Sequence, residues 1–153
     1  SLLERRVKAA LLFRFVNYVD WPESAFPSPS APFVIGVAGA DQLHAELAEV
    51  AIGRSVLNRP LVVRRVQGPE TAKDVQILYV GHDMRPQFPG VVRAAPPGAL
   101  VVTDWDTALR SGSVINFVLV GGQVRFEISL EAAQRRNIRL SSRLLSVAHQ
   151  VEQ

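Results

Sequence analysis

Three groups of residues carry chemical potential in this sequence. His82-Asp83 follows the apolar run VQILYV and Gly81. A histidine beside a carboxylate can begin a general-base pair or a metal site, but both need further partners. Asp104 and Asp106 flank Trp105 after a second apolar run. Two acids at a strand end can hold a divalent cation when more oxygen ligands lie near. They can equally cap a short helix over Thr107 to Arg110. The third group is the densest: Arg135, Arg136, Arg139 and Arg143 come shortly after Glu127. Arginine forks make bidentate contacts with carboxylates and phosphates. Arg135 and Arg139, with Glu127 and Asn116, form a candidate site for an anionic or zwitterionic ligand. The alternative is a set of solvated arginines near helix ends, where the dipole favours cations at a C-terminus.

Much other chemistry has no support. There is no GxSxG or HExxH, and GVAGAD after Phe33 is neither a dinucleotide fingerprint nor a Walker sequence. His44, His82 and His149 lack ligand spacing. Cysteine is absent, which removes disulfides, thiolate metal sites and cysteine nucleophiles. These residues point to no catalytic residue, no metal and no cofactor. Seventeen basic residues face fourteen acidic ones, a net charge of +3. With no clustered basic face interleaved with aromatics, nucleic acid is not an expected partner.

The elements that would position these residues can be read in order. Leu3, Val7, Leu11 and Phe15 recur at helical spacing, which predicts a helix from Leu3 to about Asp20. A proline-rich loop follows. In it Trp21 reads as a lid over the core, with an exposed aromatic anchor as the alternative. Phe33 to Ala38 and Val75 to Val80 are short apolar runs suited to buried strands, and Leu61 to Val66 and Ala99 to Thr103 read as strands. Asp41 is placed to cap a helix to about Val50. Gly121-Gly122 between alternating strands predicts a type I′ hairpin over 115–128. That turn pairs Val120 with Gln123, Phe117 with Phe126, Asn116 with Glu127 and Ile115 with Ile128. One face is then wholly apolar: Ile115, Phe117, Leu119, Val124, Phe126 and Ile128. Ser129 should cap a helix ending near Arg136, with Asn137 left-handed. Ser141 or Ser142 should cap a last helix from Arg143 to about Val151. The length of 153 residues suits a single domain, 1–153. The fold class is α/β: a mixed, mostly parallel sheet of about five or six strands flanked by helices. No apolar run is long enough to cross a membrane, and no signal peptide is visible at Ser1.

The chain resembles the YfiR family of periplasmic regulatory proteins. The resemblance rests on an ordered set of segments. Lys8 to Phe15 leads to Tyr18-Val19-Asp20-Trp21-Pro22, then Phe33 to Val37, Gly53 to Val56 and Arg59-Pro60. Ile77 to Gly81 and Val102-Thr103-Asp104 follow, then Gly112 through Ile115–Val118 to Val124–Ile128, and finally Ile138 to Leu145. The resemblance implies a non-enzymatic, often dimeric regulator exported to the periplasm, its signal peptide removed. It implies binding and inhibition of a membrane-bound signalling protein, a diguanylate cyclase of the inner membrane or another sensor with a periplasmic domain. The output would be cyclic-di-GMP and biofilm control. An OmpA-like outer-membrane lipoprotein is a possible second partner. Under this reading Trp21 and Phe26 are candidate partner-binding residues. The alternative is a small-molecule-binding sensor using Asn116, Glu127, Arg135 and Arg139. The family's best-known member has redox-sensitive cysteines, and this chain has none, so redox control of that type is not available here. Ser129 also stands where many relatives have Asn.

Overall fold

The computed structural model describes residues 1–153. Its elements are α1 (Leu2–Phe15), β1 (Val19–Asp20), β2 (Phe33–Ala38), α2 (Asp41–Ala51), β3 (Ser55–Val56), β4 (Arg59–Arg65), β5 (Ile77–Val80), α3 (Phe88–Ala94), β6 (Leu100–Thr103), β7 (Ile115–Val120), β8 (Gln123–Ser129), α4 (Leu130–Arg135), β9 (Arg139–Leu140), α5 (Ser142–Val147) and β10 (Gln150–Glu152). Eight strands form one sheet in the order β10-β8-β7-β6-β5-β2-β4-β3. Only β8 with β7 and β4 with β3 pair antiparallel, so the sheet is mixed and mostly parallel.

Period-2 alternation divides the buried residues between two faces of this sheet. Phe33, Ile35, Val37, Ile77, Tyr79, Leu100 and Val102 face a core shared with α1, α2, α4 and α5. Val34, Ala38, Leu78, Val80 and Val101 face a smaller core built with α3. Central parallel strands covered on both sides read as continuous apolar runs, which is how these appear in the sequence.

The hairpin has the register that its turn dictates. Ile115 opposes Ile128, Asn116 opposes Glu127 and Phe117 opposes Phe126, out to Val120 against Gln123. Gly121 and Gly122 both have positive φ, 57° and 79°. The apolar face points into the larger core as expected, except that Leu119 near the tip is 58% exposed. There the strands run past the helices that cover their roots.

Three expectations differ from the structure. The first helix stops at Phe15, because Val19-Asp20 pairs with Arg139-Leu140 as a small separate ribbon. The last helix ends at Val147; Gln150–Glu152 instead adds a parallel strand beside β8. With β3 at the opposite edge, the sheet has eight strands where about five or six were expected. Asp41 is the first residue of α2 and not its cap, Ala40 standing at that position without a side-chain bond. Asp41 pairs with Arg65 at 3.0 Å instead. Ser129 and Ser141 do cap α4 and α5, through Ala132 N and Leu144 N, and Asn137 is left-handed at φ 60°.

Candidate functional site: a cleft at the carboxyl edge of the sheet

Five parallel strands lie in the order β4-β2-β5-β6-β7. Counted along the chain this is 2-1-3-4-5, a doubly wound order whose direction reverses between β2 and β5. Chains leaving the carboxyl ends of two such strands turn to opposite faces and leave a crevice between them. A cleft of about 710 Å³ occupies this place. Its walls include Gly39 to Leu43 after β2, His82 to Met84 after β5, Asp104 after β6, Arg65 at the end of β4, and Arg5 and Lys8 from α1.

Two glycines let the turns meet. Gly81 donates its N–H to Ala38 O at 2.7 Å. A Cβ on Gly81 would lie 2.4 Å from Gly39 O, which no side chain could tolerate without moving backbone. Gly39 has φ +68°, and a Cβ there would lie 2.7 Å from Met84 N.

Asp104 organises the floor. Its Oδ2 accepts from Tyr79 OH at 2.7 Å and lies 3.7 Å from Lys8 Nζ. Its Oδ1 accepts from His82 N–H at 2.8 Å and lies 3.2 Å from His82 Nδ1. The carboxylate is nearly buried, which demands this many partners. Tyr79 is wholly buried. Burial first, then the charge and hydrogen bond of Asp104, raise its hydroxyl well above the usual tyrosine pKa. The phenol is therefore a fixed neutral donor. On the outer side His82 Nε2 lies 3.4 Å from Asp83, both well exposed.

Asp104 and His82 were each visible in sequence, but as separate weak signals. The Asp104 side chain serves Tyr79 and His82, and the short helix at Ala108–Ser111 starts from Thr107 without a side-chain cap. Lys8 read only as a polar position on a helix, and Tyr79 only as part of an apolar run. The useful signal was positional: both Gly81-His82 and Asp104 directly follow buried runs of parallel strands, and the ends of such strands gather at one edge.

The arginine-rich candidates lie elsewhere. Asn116 and Glu127 do meet, Asn116 Nδ2 donating to Glu127 Oε1 at 3.2 Å. The Asn116 amide is otherwise spent inside the protein: Oδ1 lies 2.8 Å from Thr103 Oγ1 and accepts from Trp105 N–H at 3.2 Å. Arg135 pairs with Glu131 one turn back on α4. Arg139 is exposed on β9, opposite Asp20. The cleft is lined by none of Asn116, Glu127, Arg135 and Arg139. Their neighbour Arg136 is structural. It donates to Ala99 O at 2.8 Å and Pro96 O at 2.7 Å, and burial lowers its pKa from the usual arginine value.

Trp21 and Phe26 are both partly buried. Trp21 donates to Val16 O at 2.7 Å and packs edge-on against Phe33, as a lid should. Phe26 also packs on Phe33, and the Arg59 guanidinium sits 3.6 Å from its ring centroid. Arg59 further donates to Ser28 O and Ala31 O, which ties the proline-rich loop to the sheet. Buried Gln76 does the same from below, donating to Ala25 O and accepting from Val34 N–H.

The sequence pattern of the YfiR/HmsC-like family spans residues 5–149. The chain belongs to this family. No curated protein matches it. Among solved structures it is similar to a conserved domain protein from Vibrio cholerae, with TM-score 0.66 and 13% identity. It is also similar to an ABC domain in complex with L-Trp from Streptococcus pneumoniae, with TM-score 0.58 and 12% identity. Each likeness covers 97% of this chain and 60% of the other, so this YfiR/HmsC-like chain spans well under two thirds of either protein. At these identities the likeness is one of fold. No helix of the chain is long and apolar enough to cross a membrane.

Proposed function

We propose that this chain is a non-enzymatic periplasmic regulator that binds and inhibits a membrane-bound signalling protein. The partner class is an inner-membrane diguanylate cyclase or another sensor with a periplasmic domain, and the output is cyclic-di-GMP and biofilm control. The observation that carries this reading is the family pattern over residues 5–149. A homodimer, and release by an OmpA-like outer-membrane lipoprotein, belong to the same proposal. Inhibition requires the regulator to bind one state of its partner more tightly than the other. Large apolar side chains stand exposed at the hairpin tip, Leu119 and Val120, and on α5, Val147. They offer contact area beyond the partly buried Trp21 and Phe26. The test is retention of membrane proteins on the immobilised chain, followed by cyclase assays. Recovery of a diguanylate cyclase whose activity falls when the chain is added supports the proposal. Repeated trials that enrich no membrane protein remove it.

A second reading, a sensor for a small anionic or zwitterionic ligand, is favoured by the 710 Å³ cleft at the switch point. A solved structure sharing this fold holds an amino acid, L-Trp. The two readings are compatible, since a bound ligand can bias the state that a partner recognises. Calorimetric titration with small carboxylates and amino acids tests it, and heats equal to those of dilution for every compound exclude it.

A further inference from the structure

We propose that the cleft at the carboxyl ends of β2, β5 and β6, with the hollow beside it, binds a small organic anion that carries an apolar body. This rests on the sensor reading above, and places its site away from Asn116, Glu127, Arg135 and Arg139.

The first support is charge. Most ionised groups in the cleft wall are already matched. Arg65 holds Asp41 at 3.0 Å. Asp104 is served by Tyr79, His82 and Lys8. Asp83 lies at the rim beside His82. Arg5 differs. It is half-buried, and its hydrogen bond goes to the neutral Gln42 Oε1 at 3.1 Å, with no carboxylate in reach. A partly desolvated guanidinium without an anion favours one arriving from solution, because its fork matches carboxylate and phosphate oxygens. Lys8, held by one long contact, has donors left to share.

The second support is shape. A hollow of about 460 Å³ adjoins the cleft, and Lys8, His82 and Asp104 line both. Beyond those three residues its wall is mixed: Trp105, Phe117, Val118 and Leu119 are apolar, and Glu4 and Asp106 add two carboxylates. Trp105 is almost buried, and its indole N–H has no acceptor within the protein. The nitrogen itself is enclosed, so what Trp105 offers the hollow is ring surface and not a donor. A charged head near Arg5 and an apolar body over Val118 and Leu119 would use both compartments. Their sizes suit a ligand of metabolite dimensions. Glu4 and Asp106 border the second hollow and leave room for an amino group.

The test follows backbone amide NMR shifts of the 153-residue chain during titration with 3-phenylpropanoate. The expected result is saturable shifts at Gly39 to Leu43, His82 to Met84 and Asp104 to Asp106. Propanoate, inorganic phosphate and 3-phenylpropanol should each bind about tenfold more weakly or worse, since each lacks one compartment's contacts. Arg5→Ala and Val118→Glu should each weaken 3-phenylpropanoate by a similar factor. Both positions are partly exposed, and the spectra of the variants show directly whether they are folded. Tighter binding of L-phenylalanine also supports the site and assigns the ammonium to Glu4 and Asp106. Phosphate binding as tightly as 3-phenylpropanoate, or indifference to Arg5→Ala, overturns it. Shifts confined to Glu127 through Arg139 would overturn this site while keeping the sensor reading. No shifts with any probe, L-phenylalanine included, would remove both.

Discussion

The carboxyl edge of the sheet and the region from the hairpin to α5 both collect charged residues, but they spend them differently. At the edge, Lys8, Tyr79, His82 and Asp104 come from three distant segments and converge on one carboxylate. Around the hairpin, charges close in sequence scatter. Glu131 takes Arg135, backbone carbonyls take Arg136, and Arg139 stays on the surface. Density along the chain thus marked a helix with solvated ends, while the denser cluster in space was nearly invisible in sequence. Arg135 ends α4, Arg136 stands at its cap, Arg139 lies on β9 and Arg143 on α5, so neighbours in sequence are dispersed, whereas parallel strand ends deliver one residue each to a common line.

If that contrast holds, the largest stability loss should come from Asn116, a buried polar residue at the hairpin root. Asn116→Ala leaves the Trp105 N–H unpaired and takes one partner from Thr103, which keeps Ser113, and one from half-buried Glu127. The expected loss is about 3 kcal/mol by urea denaturation, from the unpaired Trp105 N–H, the bonds lost to Thr103 and Glu127, and the space the amide leaves. A loss below about 1 kcal/mol would mean that water replaces the amide easily, and that the site is open enough for a ligand after all. Next comes Gly81→Ala on the other side of the comparison. Its Cβ meets the Gly39 carbonyl oxygen, so the two turns must part, at a cost of about 2 kcal/mol. Amide shifts should spread through Gly39 to Leu43. Unchanged stability and spectra would show that the switch-point turns are not locked together.

Tyr79→Phe probes the edge more gently. Removing the hydroxyl takes one charge-assisted bond from Asp104, which keeps its bonds to His82 and its contact with Lys8, so the loss at neutral pH is about 1–2 kcal/mol. The sharper consequence is at alkaline pH. The folded phenol has a pKa raised above the unfolded value near 10, chiefly by burial. Its contribution is fully present below pH 10 and is lost as pH rises, because the unfolded chain releases the proton first. The slope is about 1.4 kcal/mol per pH unit for one group. Denaturation midpoints of the native chain should fall more steeply above pH 10 than those of Tyr79→Phe. Parallel curves would mean that Tyr79 ionises freely in the folded state.

Legibility followed the same divide. Gly121-Gly122 and strict alternation set every pair of the hairpin, because a one-residue slip would expose Phe117 and Phe126. β2, β5 and β6 stood out because both faces of each are covered. β10 was not legible: Gln150-Val151-Glu152 has one apolar residue, and its strand conformation depends on the free edge of β8. β3, two residues long, was legible as a short strand or extended link starting at 53–56, and its pairing depends on β4. In the cleft, His82 and Asp104 were visible singly. Their pairing needs β5 beside β6, and the role of Lys8 needs α1 laid across both, neither of which is local information.

The smallest expected effect is at the arginines that first drew notice. Arg135 and Glu131 are well exposed, so their pair is screened and contributes little. Arg135→Ala and Arg139→Ala should each shift stability by less than about 0.5 kcal/mol. Because the fold is indifferent to them, these variants separate structure from recognition cleanly. Carried into the membrane-protein retention assay, they should hold the same partner as the native chain if binding uses the apolar hairpin tip. A variant that stays fully folded yet loses the partner, or loses a ligand that the Arg5→Ala chain still binds, would reverse the comparison. The scattered arginines would then be the recognition surface and the converged cluster a structural anchor for α1.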